Sequence, residues 1–249
     1  MDKPHSHFGS HNAKDHVKIV KDRHAVCKGE PHSTRHGFAY STLKDVCRLA
    51  FFLGLLRILF LFSNTPQNQH LPLMLSMGLA FIFFHACMKA KNAWSYIELC
   101  HRSIDEEKNE IENNFECEKE ELESIFSSKG FKEPLLKEII EYISSDSKLT
   151  LDTMIREELN IDLETFPHPL AQSLSTILGG CLGLGIFLPL MLLKHPLLAL
   201  SSSVLAVALL SFAKARIIAN RAINETVWGA AIFITSLGVG YSLLKIFGA

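Results

Sequence analysis

Five apolar runs alternate with polar segments along the chain: Val46–Phe62, Leu71–Met88, Ala171–Leu193, Leu197–Phe212 and Val227–Phe247. A bilayer core takes roughly 20 apolar helical residues, and only helices or closed barrels satisfy their own backbone inside it. The pattern therefore predicts an all-α polytopic membrane protein with five transmembrane helices. Soluble core helices are the alternative for any single run, but five in 249 residues argue against it. The first run is interrupted by Arg48 and Arg57. Arg48 can snorkel to the nearer interface, whereas Arg57 must find the opposite interface or a polar partner.

The polar segments set the organisation. Residues 1–43 read as a His-rich polar N-terminal tail, 44–89 as transmembrane helices 1 and 2, 90–166 as an acidic helical insert, and 167–249 as transmembrane helices 3 to 5. The first apolar run lies behind a long polar leader, so it is expected to do its own targeting rather than serve as a cleaved signal. Lys and Arg alternate between loops. Lys3, Lys14, Lys18, Lys21, Arg23, Lys28, Arg35 and Lys44 precede the first run, and none lies between Ser63 and His70. Lys89, Lys91 and Arg102 follow the second run, only Lys194 lies between the third and fourth, and Lys214, Arg216 and Arg221 separate the fourth from the fifth. By the positive-inside rule the N-terminus and the acidic insert are expected in the cytoplasm and the C-terminus outside.

Composition adds one constraint. The chain is 48% hydrophobic yet 20% charged, with a formal net charge of -1, so charge must be segregated rather than scarce. Cys27, Cys47, Cys87, Cys100, Cys117 and Cys181 form no CxxC pair and no zinc or disulfide framework.

The insert carries the most legible chemistry. Ten acidic residues stand between Asp105 and Glu123 against Lys108 and Lys119 alone. A solvated acidic helix ordinarily spaces its charges with basic i,i+4 partners; without them self-repulsion is relieved by cations, for which oxygen ligands suit hard or borderline divalent metals. Glu107 and Glu110 share one face of a helix expected to continue from the second span. Asn113-Asn114-Phe115 reads as a turn, after which Glu118 and Glu121 repeat the three-residue step on a second helix. Two such faces packed antiparallel would converge four carboxylates. A third helix is expected after Gly130, with Leu135, Leu136, Ile139, Ile140 and Ile143 at core spacing, and a fourth at Leu151–Leu159. In the latter, Met154 near Glu158 would suit Fe(II) or another first-row metal better than calcium. On spacing alone, metal binding and a solvated acidic face both remain open.

The order of two spans, an acidic helical insert and three spans resembles the vacuolar iron transporter family from about Leu71 to the C-terminus. The resemblance rests on Glu107, Glu110, Glu118 and Glu121, on the turn Lys129-Gly130-Phe131, and on the run from Met154 to Leu159. It also rests on His168-Pro169-Leu170 at the start of span three, on Pro189, and on Ala213 to Arg216 after span four. It implies a homodimer that exports Fe2+ or Mn2+ from the cytoplasm in exchange for protons. Glu107, Glu110, Glu118, Glu121 and Glu158 would be carboxylate ligands, Met154 a thioether ligand, and Met88 a residue at the pathway entrance. The expected partners are divalent metal ions, protons, the membrane and a second copy of the chain, and not nucleic acid; neither an organic cofactor nor enzymatic activity is expected.

Most of the departures from the family pattern fall in or next to the first two spans. The acid expected in span one is replaced by Phe51-Phe52-Leu53-Gly54, with Asp45 before the run. A glutamate expected in span two is Ala80, a Gly-Glu-Tyr is Lys91-Asn92-Ala93, and one of two paired methionines is Ile155. An ion path without an acid lacks the group that offsets the dehydration of a divalent cation, and Arg57 adds a positive charge. His85 in span two is either a pathway group or a neutral histidine bonded to a neighbouring helix. His5, His7, His11, His16, His24, His32 and His36 with Cys27 could collect metal or form a disordered basic leader. Gly179 and Gly183 give a GxxxG step whose default use is close packing. Three functions follow: a metal exporter; a metal-binding membrane protein, buffer or sensor, that has lost transport; or a membrane scaffold whose acidic insert binds a protein.

Overall fold

The computed structural model describes residues 13–162 and 166–247 and is helical throughout, with no strand among them. The helices are α1 (Ala13–Lys28), α2 (Arg35–Phe62), α3 (Gln67–Asn113), α4 (Phe115–Ser128), α5 (Leu135–Ser144), α6 (Ser147–Glu157), α7 (Pro169–Met191), α8 (Pro196–Ile217) and α9 (Ala222–Phe247). They form two compact units, one of residues 1–93 with 167–249 and one of residues 94–166; α3 contributes to both.

In the larger unit, α3, α7, α8 and α9 are long and apolar enough to cross a membrane. The fifth expected span, on α2, is not among them: Asp45 borders its apolar run, Arg48 and Arg57 interrupt that run, and the other helices surround α2. Val46, Leu49, Ala50, Leu53, Leu56 and Phe60 bury a continuous set of α2 positions against α3, α7, α8 and α9. The outward sides of those helices expose Phe83, Phe84, Leu205, Leu209, Trp228 and Ile232. So large an apolar perimeter is untenable in water and fits hydrocarbon. The protein is therefore an integral multi-pass membrane protein.

The expected polar tail is corrected in part. From Ala13 onward it is structured: α1 occupies 13–28, and α2 begins at Arg35, well before Val46. Asp22 explains the joint. Its carboxylate accepts from Ser33 N (2.8 Å), Ser33 Oγ (3.0 Å) and Thr34 Oγ1 (2.5 Å), while Thr34 caps α2 by accepting from Gly37 N (3.2 Å). His32 is buried on this joint, with Nε2 3.3 Å from Ser175 Oγ and its backbone carbonyl accepting from Gln172 Nε2 at 2.6 Å. It is thus a packing histidine rather than part of a loose collector. His5, His7 and His11 lie outside the described residues.

Close approach of α2 and α7 depends on glycine. A Cβ on Gly179 would stand 2.4 Å from the Thr42 carbonyl oxygen, and one on Gly183 3.0 Å from Leu49 Cδ2. The GxxxG step is thus consumed within the chain. Arg57 also finds its partners here: Nη1 lies 2.8 Å from His70 Nδ1 and Nη2 donates to the Leu193 carbonyl at 3.1 Å, beyond the end of α7.

In the smaller unit, α4, α5 and α6 close over an apolar cluster of Leu122, Ile143 and Met154, with Ile125, Phe126, Ile139 and Ile140 around it. A second cluster joins Cys100, Ile155 and Ile161. Gly130, at φ +95°, ends α4 in the left-handed conformation that glycine tolerates best, and Phe131 N returns to the Phe126 carbonyl. Asp146 caps α6 through Lys148 N at 2.9 Å.

Gly179→Ala is expected to lower stability by about 1–3 kcal/mol through overpacking against backbone, and Gly183→Ala by less. Gly185→Ala, with open space at its Cβ, should be neutral. Thermal unfolding of the three variants in one detergent checks the order; equal melting of all three would show that the α2–α7 contact is not limiting.

Candidate metal centre

The turn expected at Asn113-Asn114-Phe115 is present: α3 ends at Asn113 and α4 starts at Phe115 with Asn114 between. This reversal turns the face of α3 that carries Glu107 toward the face of α4 that carries Glu118. Both side chains are buried, at 3% and 2% exposure, and each acts on the protonation of the other. Two carboxylates so placed can share a hydrogen bond when one keeps a proton. Burial first, then the negative fields of Glu158, Glu118 and Glu110, push Glu107 up to about 8. Burial and Glu121 likewise raise Glu118, although the bond from Glu107 acts in the opposite sense. Glu158 is raised by burial and by Glu121 and Glu110.

These five carboxylates therefore act on one another electrostatically, as their spacing predicts. They do not form a closed shell: Glu110, Glu121 and Glu158 are exposed, and among the described residues no three His, Cys, Asp or Glu side chains stand together as a ready-made cluster. The arrangement is a buried carboxylate pair whose protonation the exposed Glu110, Glu121 and Glu158 influence. Glu107 Oε1 and Glu118 Oε2 are buried without a hydrogen-bond partner. Carboxylate oxygens accept but do not donate, so protons or cations are what such atoms can take. Met154, fully buried, belongs to the apolar cluster of α4, α5 and α6.

The membrane unit holds a polar centre that the motifs did not reveal. Asp45 on α2 accepts from Lys89 Nζ (2.8 Å), Arg48 Nη1 (2.8 Å) and Thr176 Oγ1 (2.8 Å). Lys89 also donates to Ser41 Oγ at 2.5 Å. The signal available was that Asp45 is the only acid between Glu30 and Glu98. His85 stacks against Phe81 at 4.3 Å and lines a small cleft with Asp45, Arg48 and Thr176, whereas Met88 is exposed.

The sequence profile of the VIT family matches residues 92–241, more than half of the chain. The chain belongs to the VIT family, the vacuolar iron transporters. The matched region contains all five carboxylates and Met154. Residues 1–91, with α1, α2 and the first part of α3, lie outside it, and most of the motif departures fall there. Comparison with curated proteins finds no match. Membership makes the protein a member of a family of membrane metal-ion transporters, not of enzymes.

The raised Glu107 gives a pH dependence whose sign is fixed. The folded state holds the proton up to about 8 while the unfolded chain releases it near 4.5, so stability falls as pH rises between those values. In metal-free buffer, amide protection of α4 in the full-length protein should decline from pH 5 to 8. Glu107→Gln, which keeps the hydrogen bond and cannot ionise, should flatten that decline; an unchanged slope would show that Glu107 does not carry it.

Proposed function

We propose that the protein is a divalent metal transporter that exports Fe2+ or Mn2+ from the cytoplasm by proton antiport, working as a homodimer. The observation that carries this reading is the buried Glu107–Glu118 pair, within the electrostatic reach of Glu110, Glu121 and Glu158, in a chain of a metal-transporting family. A divalent ion entering there would displace the shared proton and neutralise the surrounding charge, so metal and proton compete for the same oxygens. The exposed carboxylates can swing in as ligands, and the Met154 thioether, if it leaves its apolar cluster to join them, would favour a first-row transition metal. The alternating basic loops support a cytoplasmic position for this domain, with Met88 and His85 in the adjoining span as pathway groups.

One observation favours the second reading, a metal-binding membrane protein without transport. Asp45, the acid nearest the first span, is already neutralised by Lys89 and Arg48.

Proteoliposomes decide between the two. Antiport requires Mn2+ or Fe2+ uptake that rises when the gradient drives protons in the opposite direction, accompanied by a proton flux. Glu107→Ala with Glu118→Ala should weaken metal binding on the order of 10-fold or more and abolish uptake. Binding that is lost in the double variant, with no flux in the unaltered protein, would establish the second reading. Binding indifferent to both substitutions would remove the carboxylate pair from the metal site.

A further inference from the structure

At the end of the bundle where α2 and α9 finish, α2, α7, α8 and α9 enclose a cavity of about 340 Å³. Gly54, Ile58, Leu200, Ile234 and Gly238 contribute to its apolar wall, and Arg57 is the only charged side chain in that wall. The volume lies in the range of small-molecule sites, and the lining is that of an alkyl-chain site.

The charge of Arg57 is uncompensated. It is 7% exposed, its two contacts are to neutral groups, and Nε is buried without a partner. His70 Nε2 lies 3.0 Å from the Thr65 carbonyl, which fixes the proton there and leaves Nδ1 as a neutral acceptor for Arg57. Among the described residues no side-chain carboxylate is available nearby: the sequence has none between Asp45 and Glu98, and none after Glu164 except Glu225, which pairs with Lys214 at the start of α9. The same end of the bundle carries Lys194 after α7 and Lys245 in the last turn of α9. A buried guanidinium is costly unless an anion meets it. Because Arg57 reaches the carbonyl of Leu193, just beyond the end of α7, it stands at headgroup level rather than at the bilayer centre.

We infer that this cavity is a binding site for an anionic phospholipid, with one acyl chain between α2, α8 and α9 and the phosphate drawn to Arg57. The occupant is a phospholipid rather than a free fatty acid because the surrounding bilayer is its reservoir, and the basic end of the bundle selects anionic headgroups from it. The site is separate from the carboxylates of the smaller unit and does not depend on metal transport.

The test uses the full chain purified from bilayers of equimolar phosphatidylglycerol and phosphatidylcholine, with retained lipid counted by native mass spectrometry. Both lipids carry the phosphate, but the choline cation of phosphatidylcholine sets a positive charge against Arg57, so phosphatidylglycerol should be retained over it by about tenfold. Arg57→Gln should bring that ratio close to one. Gly238→Leu should lower retention of both lipids, because the added side chain meets open space in the cavity wall and disturbs no partner. It stands as the independent variant if Arg57→Gln fails to fold. Equal retention of the two lipids by the unaltered protein would overturn the inference. So would displacement of phosphatidylglycerol by oleate at equal concentration, or lipid retention indifferent to Gly238→Leu, as when a second copy of the chain closes the cavity.

Discussion

Asp45 is the acid on which the membrane unit turns. It sits on the central helix, 5% exposed, and binds at once to Lys89 of α3, Thr176 of α7 and Arg48 of its own helix. A carboxylate there is tolerable only because all three partners are in place; removing one side of such a pair leaves a buried charge and costs about 3–5 kcal/mol. The interaction therefore fixes three helices at one level. Gly179, three residues after Thr176, lets the Thr42 backbone come within contact of α7, so the polar knot and the bare glycine face act together.

The smaller unit solves the same electrostatic problem in the opposite way. Among the described residues Glu107 and Glu118 have no basic partner, burial favours their protonated forms, and Glu110, Glu121 and Glu158 turn to solvent. A carboxylate satisfied by tethered ammonium and guanidinium groups has little left to offer a mobile ion. A carboxylate pair held by one proton can exchange that proton for a cation. The two acidic sites of the chain are thus chemically unequal, and the exchangeable one lies outside the apolar bundle's polar centre.

Much of this was legible along the chain because it depends on local spacing. The apolar runs, the Asn113-Asn114 reversal and the three-residue steps of Glu107, Glu110, Glu118 and Glu121 are read from neighbours a turn away. The course of 13–43 was not, because α1 has little apolar character and is held by Asp22 reaching across to Ser33 and Thr34. The partners of Asp45 and Arg57 were also hidden: Lys89, Thr176 and Leu193 come from other helices, and sequence spacing carries no information about them. Met154 was legible as a candidate ligand, but its burial among Leu122 and Ile143 emerges only when α4, α5 and α6 are packed.

Collecting a metal ion and moving it are separate physical tasks, and the chain treats them differently. Collection needs uncompensated oxygen ligands, which α3 and α4 supply. Movement past Asp45 would require a free ion to compete with an ammonium held 2.8 Å away by a covalent tether. A tethered group acts at an effective concentration that reaches the millimolar range even for flexible links, and a short side chain fixed on a packed helix exceeds that. A divalent ion has twice the charge of Lys89 but must shed its water to enter, whereas the ammonium is already dehydrated by Ser41 and Asp45. Any translocation that uses Asp45 must therefore include a state in which Lys89 releases it. A path that leaves this pair intact must run elsewhere along the bundle.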